Sequence, residues 1–139
     1  LREGQYKQIR VAIVNVFESD FFFSVCPVCS ASLKGMECSD HGVVEPKQRL
    51  VLAGIIDDGT ENMRFVAFGD VAEKIAGSKS EQLLRMSKED IVEKIEIGKE
   101  LVFEGRVRKN AMFNRLEFTV NSVEEVDMRR EIEMLLERE

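Results

Sequence analysis

Histidine, the side chain used most often in acid–base catalysis, occurs only once in this chain. The sequence has no glycine-rich loop for phosphate binding, and no candidate nucleophile stands next to a base. Asp57 and Asp58 resemble a pair of metal-binding carboxylates, but adjacent positions before Gly59-Thr60 are typical of a turn. We therefore predict that the protein is not an enzyme.

Long apolar runs and a surplus of positive charge are also missing. No apolar run approaches the length that crosses a bilayer. The 26 acidic residues outnumber the 20 basic ones, giving a net charge of −6, so nucleic-acid binding would need a local basic patch. Abundant Lys and Glu without a signal peptide favour the reducing cytoplasm, and a first residue Leu1 indicates a piece of a longer protein.

Cysteine is rare, but all three cysteines and the only histidine lie within residues 26–41. Cys26 and Cys29 form a C-x2-C knuckle, and Cys38 and His41 form a second pair with the same spacing. Two such pairs predict a tetrahedral zinc site. Four protein ligands leave no position for water, so we predict a structural Zn2+ and not a catalytic one.

Three alternatives compete with this interpretation. A disulfide would leave one cysteine unpaired, and free buried cysteines would not explain the histidine at ligand spacing. The CPVC segment also resembles the zinc deaminase motif, but those enzymes need an upstream H-x-E, and His41 lies downstream.

Periodicity predicts five strands joined partly by helices. The strands are residues 6–17, 48–56, 63–68, 101–107 and a segment with Leu116, Phe118 and Val120 facing inward. In the first strand, the expected faces are Ile9, Val11, Ile13 and Asn15 on one side and Val14 and Val16 on the other. The run Phe21–Phe23 is expected to pack beneath the zinc insert, although an exposed ring could stack on a base.

Helical patterns separate the third and fourth strands. The first helical stretch starts at Asp70 and ends at Gly77, and Ser80 and Ser87 are predicted N-caps, the latter with Asp90 three residues on. At the C-terminus, residues 127–139 predict an amphipathic helix with an apolar stripe. That stripe suits either docking on the domain itself or joining partner subunits.

Five strands with a helix between the third and fourth are the order of an OB-fold, a small Greek-key barrel. We predict a mainly β domain over residues 1–126, with a zinc-ribbon insert at 20–45 between the first two strands. The segments CPVC, CSDHG, IIDDGT, MRFVAFGD and GRVRKNAMFNRLEF resemble the last OB domain of the replication protein A large subunit, closest to its archaeal form. His41 stands where the eukaryotic subunit has cysteine.

The resemblance implies a single-stranded DNA-binding domain of a heterotrimeric complex in replication, recombination and repair, in an archaeal-type cell and associated with its nucleoid. The alternative is a subunit-assembly core that binds little DNA. For the alternative, the expected interface residues are Met128, Ile132, Leu135 and Leu136 in the C-terminal helix.

Candidate DNA-binding residues follow from charge and from aromatic side chains in the expected groove. Between Gly105 and Arg115 the sequence is basic without an acid, and we interpret this segment as the loop between strands four and five. Alternatively, its arginines lie on a solvated strand edge and Phe113 closes the core. On strand three, Arg64 and Phe68 are expected to point outward because a buried unpaired guanidinium is costly. The candidates are Lys47, Arg49, Arg64, Phe68, Arg106, Arg108, Lys109, Phe113 and Arg115.

Overall fold

The computed structural model describes residues 3–18, 20–29, 31–33, 35–110 and 115–126. The strands are β1 (Tyr6–Val16), β2 (Phe22–Val25), β3 (Glu37–Cys38), β4 (Gly42–Val43), β5 (Lys47–Asp57), β6 (Asn62–Phe68), β7 (Glu100–Asn110) and β8 (Arg115–Glu125). The helices are α1 (Gly69–Ala76), α2 (Ser80–Leu83) and α3 (Lys88–Lys94). Within these ranges, no helix has the length and apolar character needed to traverse a bilayer.

The five long strands pair in the order β1-β7-β8-β6-β5, and β1 pairs with β5 as well. Each long strand therefore pairs with two other long strands, and the pairings return to the first strand. The β6–β8 pair is parallel, whereas the other long pairs are antiparallel. The result is a mainly β, OB-fold-like sheet with few helices, as the order of the predicted elements indicates.

The inward faces of the strands form one apolar core around three phenylalanines, Phe65, Phe103 and Phe118, none of which is exposed. The rings of Phe65 and Phe103 lie 5.7 Å apart at 58°. The predicted alternation of strand four is confirmed, because Leu101, Phe103, Gly105 and Val107 are all buried.

The alternation predicted for strand one fails at its end. Val14 and Asn15 are both exposed, and Val16 is buried together with Val11 and Ile13. The register between β1 and β5 shifts between Ile13 and Asn15. Such a β-bulge adds one residue to one strand, which turns Val16 into the core.

At two points the sheet brings backbones so close that only glycine fits. A Cβ on Gly54 would lie 2.1 Å from the carbonyl oxygen of Asn15, and one on Gly105 would lie 2.0 Å from that of Thr119. Both glycines lie next to register shifts, one in the β1–β5 pair and one in the β7–β8 pair. The missing side chains therefore let the strands coil tightly.

The helical connection is confirmed, with one predicted cap wrong. Gly77 ends α1 in a left-handed conformation (φ 73°), and the Ser87 hydroxyl accepts from the backbone N–H of Asp90 at 3.2 Å. Ser80 is not an N-cap: it is the first residue of α2, and its own backbone N–H donates to the Glu73 carboxylate at 2.8 Å. At the start of α2, the hydrogen-bond acceptor is therefore the Glu73 carboxylate of α1 and not the Ser80 hydroxyl that the sequence predicted.

The hairpin between β5 and β6 turns at residues 58–61, where the Asp58 carboxylate organises the loop. It accepts from the backbone N–H groups of Thr60 and Glu61 and from the Thr60 hydroxyl. These hydrogen bonds, led by the one from Glu61, lower the pKa of Asp58 to about 2. Asp58 thus serves the turn, as the sequence predicts.

The segment predicted as an insert begins inside the main sheet. β2 pairs with β5 from Phe22↔Leu50 to Val25↔Lys47, and Phe21 is buried in the core. The part that departs from the sheet therefore starts at Cys26. An ion pair between Lys88 and Asp20 (2.8 Å) connects the segment that precedes β2 with the first residue of α3.

Candidate functional site

The four predicted metal ligands come together in space. The Sγ of Cys26 lies 3.7 Å from His41 Nδ1, Cys38 Sγ lies 3.6 Å from the same nitrogen, and the sulfur atoms of Cys29 and Cys38 are 3.6 Å apart. One ligand atom from each residue lies within 4.8 Å of all the others. No disulfide joins the cysteines.

These separations fit a tetrahedral ion. Bonds of about 2.3 Å to sulfur and about 2.0–2.1 Å to nitrogen place neighbouring ligand atoms about 3.5–3.8 Å apart at the tetrahedral angle. A donor set of three thiols and one imidazole suits Zn2+, and the four side chains fill the shell. The residues therefore fit a closed metal site.

Backbone hydrogen bonds shape both knuckles. The N–H of Cys26 donates to the carbonyl of Ala31 (2.9 Å), which closes the loop that carries Cys29. Cys38 pairs with Gly42 in the short β3–β4 hairpin, and His41 lies in its turn. The backbone N–H of Cys29 is the main group that lowers the pKa of Cys26, to about 7, and this favours the metal-binding thiolate.

The outward face of β5 and β6 is a second candidate site. Phe65 and Ala67 are buried, so Arg64, Val66 and Phe68 lie on the opposite, outer face of β6. The expected outward orientation of Arg64 and Phe68 is confirmed. Across the hairpin, Val51 pairs with Phe68 and Ile55 pairs with Arg64, so β5 contributes the same face.

At one end of this face, a first cluster consists of Phe23, Phe68 and Arg49. The rings of Phe23 and Phe68 meet edge to face with centroids 6.1 Å apart. The guanidinium carbon of Arg49 lies 5.4 Å from the Phe68 centroid, within cation–π range. Phe23 is the register partner of Arg49 across β2 and β5, which brings the three side chains together.

A second cluster, formed by Phe17, Arg64 and Glu117, lies further along the same face. The guanidinium of Arg64 stacks 4.9 Å above the Phe17 ring, and its Nε donates to Glu117 Oε2 at 2.6 Å. A groove of about 800 Å³ adjoins this cluster, and its lining includes Phe17, Ile55, Arg64 and Arg115. Four residues separate Arg64 from Phe68 along β6, so the two clusters lie about 13 Å apart.

The basic segment near residue 105 is strand for most of its length, and its prediction as a loop is wrong. β7 continues to Asn110 and β8 begins at Arg115, so Arg106, Arg108 and Lys109 are exposed strand residues. Apolar alternation stops at Val107, but backbone pairing continues through Arg108↔Glu117 and Lys109↔Leu116. The basic segment also has an acidic neighbour in the folded chain. Glu117 of β8 lies in register with Arg108 of β7 on one side and with Arg64 of β6 on the other.

Of the remaining predicted site residues, three lie on described strands and five lie outside the described residues. Lys47 and Arg49 are exposed at the start of β5, and Arg115 is exposed at the start of β8. Phe113 and the interface residues Met128, Ile132, Leu135 and Leu136 lie outside the described residues.

Three members of the clusters were not among the sequence-based candidates: Phe17, Phe23 and Glu117. Phe17 ends the first predicted strand, and Phe23 is the last of a phenylalanine run whose first two rings pack on the core. Strict alternation from the buried Phe21 would place Phe23 on the inward face, so alternation could not have marked Phe23 as outward. No local signal places Phe17 or Glu117 beside Arg64, because their contacts depend on strand register.

Comparison with known families gives one match of nearly full length. Residues 6–135 match the family model of the replication factor-A C terminal domain. No curated protein sequence matches the chain significantly.

Solved structures of low sequence identity share the fold. A chain of a replication protein A heterotrimer bound to ssDNA superposes with a TM-score of 0.74 at 16% identity, covering 99% of this chain and 36% of that one. Yeast RPA bound to ssDNA gives 0.73 at 21% identity, covering 98% and 85%. The second OB-fold domain of replication protein A from Methanococcus maripaludis gives 0.52 at 10% identity, covering 91% and 89%. This chain thus spans about a third of the first of these proteins.

Proposed function

Because the chain belongs to the replication factor-A C terminal domain family, we propose that it is a single-stranded DNA-binding domain of a replication protein A complex. It would act in replication, recombination and repair without a catalytic step of its own. The other subunits of that complex are its proposed protein partners. The low-identity structures named above include replication protein A chains bound to ssDNA, which is consistent with this function.

The observation that carries the proposal is the pair of aromatic–arginine clusters on the outer face of β5 and β6. Aromatic rings offer stacking surfaces to any base, and arginines beside them can pair with the phosphates that connect those bases. Lys47 and Arg115 extend the positive charge at the starts of β5 and β8. Stacking and phosphate pairing do not read base edges, so we expect binding with little sequence preference.

We propose that the Cys3His cluster holds a structural Zn2+ that shapes the ribbon beside β2. The ligands lie within residues 26–41, directly after β2. β2 pairs as an antiparallel strand with β5, which carries Arg49. The ion would therefore stabilise the segment that flanks the first cluster. All four positions of a tetrahedral shell would be taken by protein atoms, so the ion would have no catalytic role.

We expect Phe68→Ala to weaken binding to an oligo-dT strand by about 1–3 kcal/mol, which is the range for one lost base–aromatic stack. Fluorescence anisotropy of a labelled strand measures this, at low and moderate salt and with a duplex as competitor. Ile97→Ala is the matched control, because Ile97 is an exposed apolar residue in the turn before β7, whereas Phe68 is a half-buried one on β6. Equal affinities for Phe68→Ala and the unsubstituted protein would remove the first cluster from the binding site.

The alternative function is assembly of the complex through residues 127–139. We expect deletion from Asp127 onward to leave single-strand affinity within about twofold and to abolish association with partner subunits, because the sequence predicts an apolar stripe there. Light scattering with the partner subunits present measures the assembly. Unchanged assembly would exclude this segment as the joint. Absence of any single-strand binding by the full chain would leave assembly as the main role.

A further inference from the structure

Both aromatic clusters on the outer face are covered by an arginine, but only one arginine is held by an acid. Arg49 lies over Phe68, and among the residues that the structure describes no carboxylate lies within 4.0 Å of it. Arg64 lies over Phe17 and forms an ion pair with Glu117 at 2.6 Å. A base that stacks on Phe68 must therefore displace only Arg49. A base that stacks on Phe17 must displace Arg64 and also break its ion pair with Glu117.

The Arg64–Glu117 pair is sheltered compared with the other ion pairs on the described surface. The side chains of Arg64 and Glu117 are 28% and 14% exposed, whereas those of Lys99 and Glu125 are 37% and 76% exposed. Partly buried pairs are screened less by salt, and their separation leaves a desolvated charge without its partner. Glu117 also lies in register with Arg108 on its other side, so arginines of two neighbouring strands flank it.

Resting on the proposed single-strand binding, we infer that Glu117 is a latch on the second stacking site. In the free protein it holds the Arg64 guanidinium over Phe17. A base then stacks on Phe17 only when a phosphate replaces Glu117 as the partner of Arg64. The first site, on Phe68, opens without this exchange, so a strand engages Phe68 first and Phe17 second.

The distance between the sites makes this order measurable. The clusters lie about 13 Å apart along β6, far more than the 3.4 Å thickness of one stacked base. Different bases must therefore occupy them. A strand too short to reach both sites reports on Phe68 alone, and a longer strand reports on the latch as well.

The test is Glu117→Gln, which keeps the shape of the side chain and removes its charge. We expect about fivefold tighter binding of a long oligo-dT, which is the order of effect of one ion pair that no longer has to be broken, and no change for a trinucleotide. The slope of log K against log salt should change by less than about 0.7, the value for one phosphate contact on a single strand, because a phosphate pairs with Arg64 in both bound proteins. Phe17→Ala in the Glu117→Gln background should remove the gain.

Glu125→Gln is the matched control, since Glu125 lies at the other end of the same strand and also pairs with a cation, Lys99. An equal gain in this control would mean a general charge effect and would overturn the latch. Glu117→Gln binding like the unsubstituted protein would overturn the latch and leave the proposed function standing. No binding by either protein would overturn both.

A measurement on the unsubstituted protein covers the case in which Glu117→Gln fails to fold. The Nε–H signals of Arg49 and Arg64 can be followed by NMR while oligo-dT is added. The latch requires the Arg49 signal to shift at lower strand concentrations than the Arg64 signal. Simultaneous shifts would overturn it.

Discussion

Replacing Cys38 with serine is expected to abolish stoichiometric zinc binding and to unfold residues 26–43 while the core of the sheet stays folded. A structural zinc site contributes about 10–16 kcal/mol of binding free energy at pH 7, and this energy serves as folding energy for the segment that supplies the ligands. Between β2 and β5, the described chain has only the two-residue strands β3 and β4. Val28, Met36 and Val43 are exposed there, so little apolar burial supports the ribbon without its ion.

Metal content after gel filtration and amide hydrogen exchange measure the two parts of this result. Ser39→Ala is the matched control, because Ser39 lies between Cys38 and His41 without belonging to the ligand set. We expect protection to be lost from Cys26 onward and to persist in β2, since Phe21 is buried and Phe22–Val25 pair with β5. Parallel loss of protection in Phe65, Phe103 and Phe118 would show instead that ribbon and core fold as one unit.

Gly105→Ala is expected to destabilise the domain by about 3 kcal/mol or more, the upper end of the usual cost of overpacking a core. The added Cβ would lie 2.0 Å from the Thr119 carbonyl oxygen and 3.0 Å from Cε1 of the Phe118 ring. A backbone atom cannot move aside as the end of a flexible side chain can. The β7–β8 pair would have to separate at the register shift, where the core ring of Phe118 packs.

Urea denaturation gives the free energy of unfolding for the variant, and Gly77→Ala gives the comparison. Gly77 ends α1 at φ 73°, with no atom within 4 Å of a Cβ built on it. Its substitution should therefore cost only the backbone strain of a left-handed residue, about 1–2 kcal/mol. Gly105→Ala proving no more costly than Gly77→Ala would refute the close-approach argument. Gly54→Ala should behave like Gly105→Ala, because its Cβ would lie 2.1 Å from the Asn15 carbonyl oxygen.

Local sequence patterns predicted much of this molecule. The four metal ligands were identifiable because they fall within sixteen residues, where the spacing of two knuckles already limits the geometry. The inward face of β7 followed from alternation. For β6, alternation gave two possible faces, and the cost of burying the Arg64 guanidinium selected the one that the structure shows. The cap at Ser87 and the stop at Gly77 followed from chemistry within one helical turn.

The tertiary structure alone decided what depends on register between distant strands. The bulge that buries Val16, the extension of β7 to Asn110 and the position of β2 beside β5 come from backbone pairing, which side-chain patterns do not encode. The same applies to Glu117, which is 53 residues from Arg64 in sequence and yet forms an ion pair with it. Residue types determined by themselves which chemistry the chain carries, through its thiols, rings and guanidinium groups. Strand register decided which of these groups meet, because hydrogen bonding between backbones positions side chains that share no local sequence.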